Sequence, residues 1–147
     1  MGVIDEAIVA VRFTSEEIEK IACRLRVPLV RNASHPLLEQ CSKELNEYFS
    51  HQRKMFDLPL HFVGTDFQQR VWKVLLSIPY GSTISYREEA EKLKAPLAVR
   101  AVARANGANP IAILVPCHRV IGSDGSLTGY TGGLEIKKYL LEWEQSL

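Results

Sequence analysis

Apolar positions recur along the chain in two periods, and the switches between them mark the elements. Ala7-Ile8-Val9-Ala10-Val11-Arg12-Phe13 is a short apolar run and predicts a β-strand. From Ser15 to Arg26 the period becomes helical, with Ile18, Ile21, Ala22 and Leu25 on one face, Thr14 or Ser15 as cap and Pro28 beyond the end. Ser34 precedes a second helix with Pro36 in its first turn and a stripe of Leu37, Cys41, Leu45 and Tyr48, flanked by Leu38 and Phe49. Lys54 to Gly64 holds two breakers and no stripe, so it reads as a linker or edge strand.

The second half is more sharply punctuated. Thr65-x-x-Gln68 is a capping-box pattern opening a helix with Phe67, Val71 and Leu75 inward and Trp72 and Leu76 beside them. Pro79-Tyr80-Gly81 is a turn, and Ser85-x-x-Glu88 is a second capping box, starting a short helix to about Lys94. Pro96 then begins another helix that ends near Asn106-Gly107. Two short helices joined by a tight turn make a helix-turn-helix candidate. Its second helix is slim, with Ala98, Ala101, Ala103 and Ala105. Ala101, Val102 and Ala105 are expected inward, and Val99 and Ala103 outward beside Arg100 and Arg104. Alanine is also simply the best helix former, so slimness alone does not require a groove-binding role. Ile111 to Val115 reads as a buried strand, Ser123-Asp124-Gly125 as a turn, and Leu134 to Trp143 as a last helix.

With 147 residues and 46% hydrophobic content, the chain suits one domain or two small ones, with a core large enough to need no disulfides. No run of 18 apolar residues is present, which excludes a membrane-spanning helix of ordinary length. The start, Met-Gly-Val-Ile-Asp-Glu, has neither the basic region nor the apolar core of a signal peptide. Three scattered cysteines imply free thiols and a reducing, cytoplasmic compartment. The net charge of +1 speaks against a nucleic-acid partner until it is resolved along the chain. Lys92, Lys94, Arg100, Arg104 and Arg119 then stand in a window without a single acid. Such a window is either a solvated face or a local footprint for phosphates.

Pro116-Cys117-His118-Arg119 concentrates the chemistry. A thiolate is the reactive form of cysteine, and an imidazole can take its proton while a carboxylate orients the ring. A cysteine after an apolar run can equally be a core residue. Zinc is the third reading, but neither Cys23 and Cys41 nor His35, His51 and His61 supply a second ligand pair at finger-like spacing. Cys41, inside a buried stripe, reads as core.

Gln68-x-x-Val71-Trp72, Ile78-Pro79-Tyr80-Gly81, Thr83-x-Ser85-Tyr86, Arg100-Ala101-Val102, Asn106-x-x-Asn109-Pro110, Pro116-Cys117-His118-Arg119 and Tyr130-Thr131-Gly132-Gly133 stand in this order. Together they resemble the O6-alkylguanine-DNA alkyltransferases, also called methylated-DNA–protein-cysteine methyltransferases. The resemblance is dense from about Leu58 to Glu144. Before Leu58 it rests on Pro36-Leu37-Leu38 and Glu47-Tyr48-Phe49, in a segment short for the family's first domain. The implied fold is mixed α/β (α+β). A shortened ribonuclease-H-like N-terminal domain would occupy residues 1–60, and a winged-helix-like helix-turn-helix domain carrying the cysteine residues 61–147.

The resemblance also implies a reaction: an alkylated guanine flipped from duplex DNA gives its O6-alkyl group to the protein, once, without metal or organic cofactor. Cys117 stands at the nucleophile's position. His118 would accept the thiol proton through a bridging water, Glu144 would orient His118, and Tyr86 would protonate the guanine ring. Asn109 would be the hinge between the helix-turn-helix and the active-site strand. Backbone carbonyls of Cys117 and Val120 would receive the exocyclic amine, with Tyr130 and Thr131 lining the pocket. Arg100 would fill the space left by the flipped base, while Ala98, Val99 and Ala103 would enter a minor groove about 6 Å wide. Arg104 is assigned to phosphate contact on the residues alone. The expected partner is damaged double-stranded DNA, met by a monomer. Competing readings are an alkyltransferase-like protein that binds damage without transfer, a cysteine hydrolase, and a helix-turn-helix regulator with a structural cysteine.

Overall fold

The computed structural model describes residues 1–32 and 34–146, in two compact units, Met1–Phe62 and Val63–Leu147. In the first, β1 (Gly2–Ile4) and β2 (Ala7–Ala10) form an antiparallel hairpin with an irregular register at Gly2/Val3. The expected strand is shorter than the apolar run, and its partner escaped the sequence reading. The turn between them is Asp5-Glu6, both at positive φ (47° and 60°), without the glycine that announces such turns. On its other side Ile8 is bridged in parallel to Leu60: Ile8 N donates to Pro59 O (2.8 Å) and His61 N to Ile8 O (2.9 Å).

Helix α1 (Ser15–Leu25) starts at Thr14, whose side chain and Glu17 complete a capping box. Helix α2 (Pro36–Tyr48) is capped by His35, one residue later than Ser34, with Nδ1 accepting from Leu37 N at 3.2 Å. Its inward face is Cys41, Glu44 and Tyr48, whereas Leu37 and Leu45 are half-buried. The buried Glu44 carboxylate binds Asp57 N (2.9 Å), Gln40 Nε2 (3.1 Å) and the Arg53 guanidinium (3.4 Å), tying the segment after α2 back onto it. Burial pushes the Cys41 thiol up to about 11, so it is an inert core thiol at neutral pH.

In the second unit, α3 (Asp66–Leu75) opens with the Thr65/Gln68 capping box and buries Val71, Trp72 and Leu75; Phe67 is half-buried and Leu76 exposed. Helices α4 (Tyr86–Lys92) and α5 (Val99–Gly107) form the helix-turn-helix. Pro96 lies in the connecting turn, and α5 begins only after Ala98, which supplies no capping side chain. Trp72 Nε1 donates to Ala105 O (2.8 Å), so α3 grips α5 on its buried face, which carries Val102, Ala105 and Asn106. That grip turns Ala101 outward, contrary to expectation, and leaves Val99 and Ala103 half-buried. The exposed face of α5 is Arg100, Ala101 and Arg104.

Ile111 to Val115 is buried but is a coiled turn, not a strand. Among the described residues no strand pairs with 112–115 to supply their hydrogen bonds. The Asn109 side chain bonds the run at both ends instead, accepting from Ile111 N (3.0 Å) and donating to Val115 O (2.8 Å). Ile113 sits at φ 71°, a costly conformation for a β-branched residue that the surrounding buried packing enforces. A short 3-10 turn, Cys117–Arg119, leads into β4 (Val120–Ile121), which pairs in parallel with β3 (Ile84–Ser85), and α6 (Leu134–Gln145) closes the unit. No helix among the described residues is long and apolar enough to cross a membrane.

Candidate active site

Cys117 opens the 3-10 turn, 5% exposed, and its Sγ lies 3.3 Å from Asn109 Nδ2. The amide that orders the 111–115 turn therefore also donates to the sulfur, which favours the thiolate. Both residues are buried, so the contact is shielded from solvent.

His118 is fully buried, with Nε2 2.9 Å from Glu144 Oε1. Glu144 is saturated. Its Oε1 also accepts from Arg119 Nη2 (2.8 Å), and its Oε2 accepts from Arg119 Nε (2.9 Å) and from Gly81 N (3.1 Å). Gly81, at φ 74° in the Pro79-Tyr80-Gly81 turn, can present its N–H there because it needs no Cβ. Burial alone would raise the Glu144 pKa, but hydrogen bonds and charge from His118 and Arg119 outweigh it and hold the carboxyl well below the usual range. Burial lowers the His118 pKa, only partly opposed by its bond to Glu144, so the imidazole is neutral at physiological pH. An ionised carboxylate has no proton to give, so His118 Nε2 must be the N–H. The lone pair is thereby placed on Nδ1, which makes no hydrogen bond among the described residues.

Arg119 had been counted in the basic window. It is 6% exposed, also donates to Ile78 O (2.7 Å), and serves as the buried counter-ion of Glu144 rather than as a surface charge. Four exposed cations remain of the five: Lys92, Lys94, Arg100 and Arg104.

The opposite wall is built around Tyr86 at the start of α4. Its hydroxyl donates to Thr128 O (3.0 Å) and accepts from Lys137 Nζ (3.3 Å). Lys137 is completely buried on α6, with Nζ also bonded to Val120 O (2.6 Å) and Thr128 O (2.9 Å) and 5.5 Å from the Tyr86 ring centroid. Burial lowers the Lys137 pKa and raises that of Tyr86; a charged Cys117 would oppose the first shift and add to the second. Sequence reading missed Lys137. A signal existed, since Lys137, Leu140 and Glu144 share one face of the last helix, but a lysine there reads as solvated until its partners are known. The Val120 carbonyl accepts from Lys137 Nζ and the Cys117 carbonyl from Val120 N. Thr131 Oγ1 donates to Gly107 O (2.7 Å), joining the half-buried Tyr130 and exposed Thr131 to the end of α5. Arg100 and Arg104 project from α5 and form no ion pair among the described residues.

Residues 66–146 match the family profile described as 6-O-methylguanine DNA methyltransferase, DNA binding domain, and residues 5–62 that of its ribonuclease-like domain. The chain belongs to the 6-O-methylguanine DNA methyltransferase family. Within that family, it is 61% identical over 103 residues to a methylated-DNA–protein-cysteine methyltransferase of Mycobacterium bovis, across 70% of this chain and 62% of that protein. The match thus spans less than two thirds of that relative's length. A methyltransferase of the same name from Methanosarcina barkeri is 49% identical over 123 residues, 84% of this chain and 78% of that protein. Among solved structures, Mycobacterium tuberculosis OGT in complex with DNA superposes with a TM-score of 0.73 at 58% identity, covering 74% of this chain and 68% of the other. The fold of this family member is accordingly a ribonuclease-like domain followed by a DNA-binding domain.

Proposed function

We propose that the protein repairs DNA by direct reversal, taking the O6-alkyl group of a guanine in duplex DNA irreversibly onto Cys117. The observation that carries this reading is the proton geometry. The buried His118–Glu144–Arg119 cluster presents a neutral imidazole with its lone pair on Nδ1, next in sequence to a thiol already hydrogen-bonded by Asn109. In the proposed step the thiol proton passes to His118 Nδ1, through a bridging water. The sulfur then attacks the alkyl carbon in line; the S–C bond forms as the C–O6 bond breaks. The electron pair leaves with guanine, and Tyr86 protonates the departing ring. Its hydroxyl must first turn from Thr128 O, and the Lys137 ammonium beside it stabilises the phenolate that results. Because the S-alkyl bond is not hydrolysed, each chain acts once.

The DNA-facing roles follow from exposure. Arg100 and Arg104 stand on the solvent side of α5 with Ala101 between them, a slim cationic face suited to the minor groove. The uncapped start of α5 leaves backbone N–H groups for a phosphate. Arg100 takes the space of the flipped base, Ala98, Val99 and Ala103 flank it in the groove, and Arg104 contacts a phosphate. Val120, Tyr130 and Thr131 border the base pocket.

The test is to incubate the protein with a duplex carrying O6-methylguanine and weigh the peptide containing Cys117. A stoichiometric gain of one methyl group, absent in Cys117→Ala, is expected. Turnover, or no gain, would overturn the proposal. Damage binding without transfer is disfavoured by the presence of Cys117 at the nucleophile's position.

A further inference from the structure

The helix-turn-helix contains an acid that the proposed chemistry does not use. Glu89, at the centre of α4, is fully buried, and so is Asn106 on α5, at 2% exposure. Asn106 Nδ2 donates to Glu89 Oε2 at 2.6 Å, while the two remaining oxygens, Glu89 Oε1 and Asn106 Oδ1, are buried with no hydrogen-bond partner among the described residues. With Glu89 ionised, both are acceptors, and two orphaned buried acceptors are costly. A single proton on Oε1 removes the conflict by supplying the donor that Oδ1 lacks, as in a cyclic acid–amide pair.

Among the described residues no cation pairs with the Glu89 carboxylate. On α4 itself, the Tyr86 hydroxyl is directed to Thr128 and Lys137, the Glu88 carboxylate accepts from Ser85 N, and Arg87, Glu91 and Lys92 are exposed. From α3, the Arg70 guanidinium binds Leu93 O and Trp72 Nε1 binds Ala105 O. From α5, Arg104 faces solvent and Asn106 alone reaches the carboxyl. β4 contributes the uncharged Val120.

We infer that Glu89 is a positioning residue that works as a neutral carboxylic acid, donating from Oε1 to Asn106 Oδ1 and clamping α5 onto α4. Burial pushes the Glu89 pKa up to about 7, against the smaller opposing effect of the Asn106 bond, which puts loss of the proton inside the physiological range. Above that pH the charged carboxylate faces Asn106 Oδ1 in an apolar setting. The clamp loosens, and α5, with Arg100 and Arg104, is held less firmly for DNA. The last step rests on the proposed function; the protonation itself does not.

The experiment has two arms on the full chain. First, the carboxyl carbon of Glu89 is titrated by NMR in the unaltered protein. A midpoint near pH 7 is expected; a midpoint at the ordinary glutamate value near 4.5 overturns the inference. Second, affinity for a duplex is measured from about pH 6 to about pH 8 in the wild type and in Glu89→Gln, whose amide supplies the same donor without titrating. The wild type should lose severalfold more affinity over this interval than Glu89→Gln. Equal losses overturn the positioning role. If neither protein binds duplex at any pH, the proposed function fails, while the NMR titration still decides the state of Glu89.

Discussion

Single side chains in this protein matter through the atoms they leave over. Glu144 accepts four hydrogen bonds, two at each oxygen, and this saturation fixes the tautomer of His118. Arg119 supplies two of the four and much of the charge. Arg119→Met should therefore cost about 3–5 kcal/mol, the usual cost of removing one partner from a buried pair. It should also raise the Glu144 and His118 pKa values, since the Arg119 charge lowers both. Urea unfolding at neutral pH checks the first expectation. The second is read from the pH profile of transfer, whose acid limb should move upward; an unmoved limb would separate Arg119 from the chemistry. An arginine in a basic window beside a candidate nucleophile invites a phosphate-binding role. Its burial against Glu144, 25 residues away, makes it an internal counter-ion.

At the scale of elements, the 111–115 turn and helix α5 carry different burdens. Residues 112–115 of the turn pair with no strand among the described residues, and the Asn109 amide bonds the turn at both ends. Asn109→Ala should leave Ile111 N–H without its bond, at about 1–3 kcal/mol for that group, while Val115 C=O keeps its bond from Cys117 N (2.8 Å). Hydrogen exchange should speed up at residues 109–117 before the rest of the unit; uniform exchange would show that packing alone holds the turn. Helix α5 instead works through what it exposes. Arg104→Ala should weaken duplex binding and reduce the salt slope by about one unit, as for one lost phosphate contact. Arg100→Ala should slow transfer from duplex DNA far more than from a free base analogue, because only the duplex requires the flipped base's place to be filled. Equal slowing on both substrates would remove Arg100 from base flipping.

For the whole molecule, three buried groups set how stability depends on pH. His118 has a lowered folded pKa, so below its ordinary value of 6.5 the unfolded chain takes up a proton that the folded chain refuses, and stability is lost. Glu144 is also lowered; its contribution is present above 4.5 and is lost as pH falls below that. Glu89 is raised from 4.5 to about 7, so its contribution is present below 4.5 and is lost as pH rises through about 7. Between 4.5 and 6.5 the His118 and Glu89 effects have opposite slopes and offset one another. The urea midpoint should show a plateau there, with a fall below it and a small fall above it that ends at about 7. Glu89→Gln should convert the plateau into a rise up to about 6.5 that then levels off. A plateau surviving in that variant would mean that other groups control the titration.

The sequence by itself determined what is local. Two helix starts, at Thr65 and Ser85, were legible because a capping box is a bond between residues three apart, and at the first helix the choice between Thr14 and Ser15 fell to Thr14 only in the structure. The stripes of α1 and α3 were legible because a helix repeats within two turns, and the ordered motifs identified the family and singled out Cys117, His118, Asn109, Tyr86 and Glu144 as candidates. Tertiary structure decided whatever needs a distant partner. The parallel pair Ile84–Ser85 with Val120–Ile121 is two residues long on each side, too short to leave a periodic signal. The apolar run 111–115 has the composition of a strand, but the reach of the Asn109 side chain to both of its ends holds it as a turn. Ala101 faces outward because Trp72 fixes the rotation of α5. Arg119, Lys137 and Glu89 are charged residues whose composition says surface. Their burial became readable only when the fold brought a carboxylate, three oxygens or an amide to meet them, since the cost of burying a charge depends on its partners.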